Sequence, residues 1–249
     1  MLKATLTDVD LLKNSIPIIA EIIDEGLFRA DKSGISLLSP DRTMVSVIDF
    51  KVLSSAFESY EVDGEKEIGL NLANFVSVLK RVKSTDKLAL ELGQKSNKLK
   101  ITVEGESRRV FEIPLIDIKV EKPPIDQLAF PGSMEVESRL IEDGIADADI
   151  VGDSVMFELK PDTFRMHSKG DVSTAELAIG KGDTGMLGIH AKESMAARYP
   201  LEYLKKMIKA NKLASQMSIE LGNDYPMRIG FKVIDKLSLS FILAPRVEE

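Results

Sequence analysis

The sequence predicts a mostly antiparallel α+β fold built from two similar halves. Many short alternating apolar runs are separated by turns, and only two helical stripes occur per half. One stretch also recurs: Leu72 to Gly93 lies without a gap over Leu201 to Gly222, with Lys80 on Lys209, Lys83 on Lys212, and a strand ending Glu-Leu-Gly in each. The same shift carries Leu11-Leu12 onto Leu140-Ile141, Ile16 onto Ile145, Phe28 onto Phe157, and Ile35, Leu37, Ser39 onto Phe164, Met166, Ser168. One constant shift preserving both helical and strand periodicity implies a unit used twice.

Along the chain, Val9, Leu12, Ile16, Ile19 and Ile23 make the first helical stripe, with Asp8 as its cap, Pro17 expected to bend it and Gly26 soon after its end. Leu27 to Ala30 and Gly34 to Leu38 read as strands around an Asp31-Lys32-Ser33-Gly34 turn, followed by a strand from Met44 to Phe50. A helix from Leu72 to Arg81 leads into strands at Leu88 to Leu92, Leu99 to Val103 and Arg109 to Ile113, with a turn near Ser96-Asn97. Pro123-Pro124, Pro131 and Gly132 mark residues 118–134 as an extended connector between domains at 1–117 and 135–249. Its Ile125, Leu128 and Phe130 either rest on the body of the protein or form a binding surface.

At 249 residues with 44% hydrophobic content, the chain is long enough for two cored domains. It has no cysteine, which excludes disulfides, thiolate metal sites and a cysteine nucleophile. No apolar run approaches the roughly 18 residues of a membrane span, and Met1-Leu2-Lys3 leads straight into structured sequence without a signal-peptide core, so the chain reads as soluble and intracellular. The net charge of −7 argues against general adhesion to nucleic acid, but the bases are segregated. Arg198, Lys205, Lys206, Lys209 and Lys212 face only Glu202, and Lys80, Arg81, Lys83 and Lys87 face only Asp86, while acids crowd Glu61 to Glu67, Glu135 to Asp153 and Glu248-Glu249.

On a helical wheel Leu201, Leu204, Ile208 and Asn211 share one side, and Glu202, Lys206, Lys209 and Ala210 the other, with Lys205 at the margin. In the first copy Leu72, Phe75, Val76 and Leu79 pack, leaving Ala73, Ser77, Lys80 and Arg81 outward; Lys83 and Lys212 fall just past the helices. A solvated face would look similar, but repetition at equivalent positions favours a shared role. Neither face carries aromatic platforms for single strands or a set of base-reading side chains. Such a surface suits a phosphate backbone approached without reading sequence. The second copy is the richer in lysine, so the strongest contact is expected beside Lys205 to Lys212.

No catalytic constellation assembles. His167 and His190 lack metal-ligand spacing, Gly180 to Thr184 reads as a turn rather than a phosphate loop, and Asp147, Asp149 and Asp153 read as solvated acids at the end of the third helix and its turn. No cofactor, metal or enzymatic activity is expected.

Several segments carry a resemblance: Asp31-Lys-Ser-Gly-Ile-Ser-Leu-Leu-Ser-Pro-Asp41, Gly69-Leu-Asn-Leu72, Arg109-Val-Phe-Glu-Ile-Pro-Leu-Ile-Asp117, Gln127-Leu-Ala-Phe-Pro131 and the ending Leu243-Ala-Pro-Arg246. Over essentially its whole length the chain resembles the proliferating cell nuclear antigen family of DNA sliding clamps, in its archaeal form. The resemblance implies two similar DNA-clamp domains per subunit, closing into a trimeric ring with helices lining the inside and antiparallel sheets outside. It implies a processivity factor that encircles double-stranded DNA regardless of sequence and tethers replication and repair enzymes: DNA polymerase, the clamp loader replication factor C, flap endonuclease and DNA ligase. Lys13, Lys80, Arg81, Lys83, Arg139, Lys205, Lys206, Lys209 and Lys212 would face DNA. The third helix departs from this pattern, since Glu142, Asp143, Asp147 and Asp149 outnumber Arg139.

Val45, Leu128, Phe130, Pro131, Pro226, Ile242, Leu243, Ala244 and Pro245 would form the partner-peptide groove, with Pro40 and Met44 reshaping its rim and Leu243 also fitting ordinary core. Ring closure would pair the edge near Arg109 to Ile118 with that near Ser173 to Gly180 of the next subunit, with Arg108, Arg109 and Glu112 against Asp171 and Glu176. Whether the ring is a homotrimer or a heterotrimer stays open. An archaeal clamp would be cytoplasmic and nucleoid-associated. The competing reading is a protein-interaction scaffold without a direct DNA role; an enzyme site between the domains has no constellation behind it.

Overall fold

The structure is a computed structural model that describes residues 1–119 and 121–246. Val120 of the connector and Val247, Glu248 and Glu249 of the tail lie outside the described residues. The chain divides into two compact units. The first holds Met1–Arg42, Ile48–Pro123 and Val233–Leu239; the second holds Thr43–Val47, Pro124–Lys232 and the described residues from Ser240 on.

In chain order the first half forms β1 (Leu2–Leu6), α1 (Asp10–Ala20), β2 (Glu25–Asp31), β3 (Gly34–Pro40), β4 (Ser46–Leu53), β5 (Ser59–Val62), β6 (Lys66–Asn71), α2 (Leu72–Leu79), β7 (Lys87–Leu92), β8 (Lys98–Glu104) and β9 (Arg108–Pro114). The second forms β10 (Gly132–Glu137), α3 (Ser138–Val151), β11 (Ser154–Leu159), β12 (Thr163–Lys169), β13 (Thr174–Gly180), β14 (Met186–His190), β15 (Met195–Pro200), α4 (Leu201–Met207), β16 (Gln216–Leu221), β17 (Met227–Val233) and β18 (Leu237–Leu243). Strand orders β5-β1-β7-β8-β9 and β4-β3-β2-β6 reappear as β14-β10-β16-β17-β18 and β13-β12-β11-β15. The strands of each half, β1 to β9 and β10 to β18, therefore follow the same topology, and the shift read from the sequence carries β3 onto β12 and β7 onto β16 residue for residue.

Alternation builds the strands: β1, β4 and β16 bury every second side chain and present the others outward. In the first unit Phe28 meets Phe75 of α2 edge to face at 6.3 Å, fixing the helix on β2. In the second, Phe157 packs edge to face on Phe164 and Tyr199, and the buried Tyr199 hydroxyl donates to the Tyr225 carbonyl at 2.7 Å. That burial raises the Tyr199 pKa well above its ordinary value, with Asp224 adding to the effect.

Several sequence expectations are corrected. Asp8 does not cap α1: the cap position is Val9, without a side-chain bond, and Asp8 accepts from Lys236 Nζ at 2.8 Å. That contact anchors Val233–Leu239 to the first unit, together with Leu53 N donating to Lys236 O at 2.8 Å and the Ser55 hydroxyl donating to Asp235 O at 2.5 Å. Gly26 lies inside β2 rather than at a helix end, and the strand expected from Met44 begins at Ser46 because Met44 sits in a turn with φ 60°. The second helix stops at Leu79 and not Arg81: Arg81 N and Val82 N reach back only three residues, to Val78 O and Leu79 O. Gly132 belongs to β10, so the connector ends earlier than its prolines suggest.

The turn read at Asp31 to Gly34 is tightly held. Asp31 Oδ1 accepts from Ser33 N at 2.7 Å and from its hydroxyl at 2.6 Å, lowering the Asp31 pKa, and the Tyr60 hydroxyl lies 2.8 Å from the Asp31 and Gly34 carbonyls. Burial, then the Asp31 charge, push Tyr60 up to about 12. Gly34 has φ 138°, and a β-carbon there would lie 2.0 Å from the Val52 carbonyl oxygen. Gly34→Ala is therefore expected to destabilise the first unit by about 1–3 kcal/mol, read as a lowered denaturation midpoint.

Candidate functional site

In the first unit the cations sit in the first turn of α1 and past the end of α2. Asn71 caps α2 by accepting from Asn74 N at 3.1 Å, and the buried Leu72, Phe75, Val78 and Leu79 leave Lys80 and Arg81 exposed just past its last turn. Lys83 lies one turn on, with its Nζ 3.0 Å from Glu106. Lys13, on α1, sits 3.6 Å from Asp10 and donates to the Ser84 hydroxyl at 3.4 Å.

In the second unit α4 tightens into a 3₁₀ turn over Ile208–Lys212. Three residues per turn, rather than 3.6, place Lys209 and Lys212 on one side. The same tightening turns Ala210 inward to 0% exposure, correcting its expected outward position. Lys205 Nζ contacts Asp149 Oδ1 at 2.8 Å and Oδ2 at 3.1 Å; Lys206 pairs with Glu202 at 3.2 Å and lies 5.5 Å from the Tyr203 ring; Asn211 donates to Glu142 Oε2 at 2.7 Å. Arg139 is exposed on α3. Of the acids on α3, Asp149 meets a lysine of α4 and Glu142 meets Asn211 of its 3₁₀ turn.

The expected groove residues all fall in the second unit. Phe130 stands edge to face with Tyr225 at 5.9 Å, while Arg228, itself 3.0 Å from Glu220, lies 4.8 Å from the Phe130 centroid. Pro131 rests on Gly222, where a β-carbon would come within 3.2 Å of its ring. Ala196 N donates to Asn223 Oδ1 and Asp224 N donates to Ala196 O, both at 2.9 Å, which fixes the loop carrying Tyr225 and the half-buried Pro226. Val45 O accepts from Ala244 N at 2.9 Å. Val45, Leu128, Ala244 and Pro245 are half-buried, whereas Ile242 and Leu243 are closed off at 5% and 0% exposure. Sequence reasoning missed Tyr225 and Arg228, whose proximity to Phe130 depends on the β16–β17 pairing.

β9 and β13 are terminal strands of their sheets, and Val110 and Val172 are exposed on β9 and beside β13. Arg109 is engaged at home: its guanidinium donates to Arg81 O and to the buried Asp86 carboxylate, both at 2.8 Å. Arg108 lies 3.7 Å from Glu104 and Glu112 3.1 Å from Lys98, while Asp171 and Glu176 are exposed. His167 and His190 are exposed strand residues, and Asp183 Oδ2 accepts from Gly180 N at 2.7 Å in the turn read there. No group of three or more potential metal-ligating side chains occurs among the described residues. No helix among them is long and apolar enough to cross a membrane.

A duplicated α+β unit whose paired helices carry segregated lysines, with an apolar cluster on strands and connector, defines a protein of the DNA-clamp class. The family model for the proliferating cell nuclear antigen N-terminal domain matches residues 1–123, and that for its C-terminal domain matches residues 133–246. The chain belongs to the proliferating cell nuclear antigen family of DNA sliding clamps. It is 35% identical over 230 residues to a DNA polymerase sliding clamp of Pyrococcus horikoshii and 34% identical to that of Pyrococcus furiosus, covering 92% of both chains in each case. Among solved structures it resembles the antigen from Thermococcus kodakaraensis, with a TM-score of 0.93, 25% identity and coverage of 99% of this chain and 100% of that one. A PCNA2–PCNA3 complex from Sulfolobus tokodaii contains a chain at TM-score 0.91 and 26% identity, with the same coverage.

Arg246 fastens the end of the last strand: its N donates to Arg198 O at 2.7 Å and its guanidinium lies 2.7 Å from Asp153. The Arg246 hydrogen bond is the main cause holding the Asp153 pKa below 3.8. A carboxyl with a depressed pKa contributes stability above its unfolded value that is lost as pH falls through the folded one. Arg246→Ala should return the Asp153 titration toward 3.8, read by NMR pH titration.

Proposed function

We propose that three subunits close into a ring around duplex DNA, each contributing the helices of both domains to the inner surface and its sheets to the outer one. The observation that carries this reading is the appearance of cations at equivalent positions after α2 and α4, Lys80 with Lys209 and Lys83 with Lys212. A ring retained by topology needs only loose phosphate contacts, which suits a chain of net charge −7. Lys13, Lys80, Arg81, Lys83, Arg139, Lys205, Lys206, Lys209 and Lys212 are the DNA-facing set.

The edges β9 and β13 pair between subunits. Val110 and Val172 add apolar contact, and Arg108, Arg109 and Glu112 face Asp171 and Glu176 of the next copy. Arg109 is held by Asp86, so it presents a fixed rather than a searching guanidinium. The domains run over about 1–117 and 135–249, joined by the connector 118–134, whose last three residues already run in β10. Beneath that connector, DNA polymerase, replication factor C, flap endonuclease and DNA ligase insert a short apolar peptide. Phe130 and Pro131, together with Leu128, Val45, Pro226, Ala244 and Pro245, receive it over a floor of Ile242 and Leu243. The protein works as a tether in the cytoplasm and catalyses nothing itself.

Protein placed by the ATP-driven loader on nicked circular DNA is expected to slide off once the circle is cut; equal retention on linear DNA would sink the topological mechanism. Replacing Lys80, Lys205, Lys206 and Lys209 together with Ala should shorten processive synthesis. It should also make the logarithmic salt dependence of DNA association shallower, by about 0.9 in slope for each phosphate left without its lysine. Unchanged synthesis would favour the scaffold reading. Phe130→Ala should weaken capture of a client peptide by about 30-fold, measured by calorimetry. Native mass measurement distinguishes a homotrimer from a chain that needs sister subunits.

A further inference from the structure

The duplication supplies an internal comparison for the helix pair of the second unit. The shift that superposes the halves places Asp149 on Ala20 and Lys205 on Val76. Ala20 and Val76 line one cleft between α1 and α2 in the first unit. In the second unit the equivalent residues on α3 and α4 form an ion pair at 2.8 Å. Two helices of this fold therefore pack side by side without any charge at these positions, and the pair is not needed to hold them together.

Asp149 also breaks a local rule. It lies in the last turn of α3, where the helix end carries partial negative charge and a carboxylate is disfavoured, and that turn holds no base of its own. The carboxylate instead engages a lysine of the neighbouring helix through both oxygens.

We propose that Asp149 masks Lys205, limiting how strongly the second unit grips the phosphate backbone so that the protein stays mobile on DNA. This rests on the helices of the second unit facing duplex DNA. Both side chains are close to half-exposed, at 48% for Lys205 and 42% for Asp149, so water and phosphate reach them. An exposed ion pair is similar in strength to a single lysine–phosphate contact, so Lys205 exchanges between Asp149 and a passing phosphate rather than locking onto either. Glu142, placed by the same shift on Lys13, adds to the effect by holding Asn211 and turning a cationic position of the first unit into an anionic one.

The test is a double-mutant cycle on the full chain, loaded onto stretched duplex DNA, with one-dimensional diffusion followed across a salt series. Asp149→Asn is expected to slow diffusion about two- to fivefold at low salt, the difference closing as salt screens the contact. Asp149→Ala, which copies the first unit, should do the same and keeps the test independent of the asparagine. Lys205→Ala should cost more retention in the Asp149→Asn background than in the original chain, because only there is the lysine unmasked. Equal diffusion in all variants, or additive effects of the two substitutions, would overturn the masking alone. Failure of the original chain to be retained on closed circular DNA would overturn the clamp reading and the masking with it.

Discussion

Each unit depends on one constraint: two short helices must bury an apolar seam against their own strands. Leu72, Phe75 and Leu79 do this in the first unit, and Leu201, Leu204 and Ile208 in the second, with none more than 6% exposed. Helices of seven or eight residues are too short to persist alone, so this packing holds them in place. Once the seam is buried, the outward positions are fixed by helical geometry, and the cations sit where they do as a consequence.

The ends of the helices then set how those cations are presented. Both second helices finish with bonds that reach back three residues, and the tighter winding lines up lysines three apart. The two units diverge in what surrounds them. In the first, α2 carries no charge of its own, and Lys80 and Arg81 follow it exposed; in the second, an acidic α3 lies beside a basic α4 and joins it through the Lys205–Asp149 pair. The repeated stretch holds more lysine in its second copy, but there Lys205 already meets Asp149 of the neighbouring helix.

The groove shows the opposite division of labour. Its anchor Phe130 and neighbour Pro131 come from a segment without regular structure, and a segment of that kind holds a defined position only if something outside it does the holding. Tyr225, Arg228 and Gly222 supply this from the β16–β17 hairpin, and the hairpin is in turn tied to β15 through Asn223 and Asp224. Rigidity in the connector is thus borrowed from the second unit's sheet.

Much of the fold was legible because alternation and helical spacing are local: the duplication, the turn at Asp31 to Gly34 and the apolar seams all follow from residues near one another in the chain. Helix ends were less legible. Asp8 looked like a cap until Lys236, far away in sequence, claimed its carboxylate, and Ala210 looked exposed until the last turn tightened. By itself the sequence determined the repeated α+β unit and the outward placement of its lysines, since periodicity encodes which face is buried. Only the tertiary structure decided which lysines meet a carboxylate, which arginine is spent on Asp86 and what steadies Phe130, because those pairings join residues whose separation along the chain carries no periodic signal.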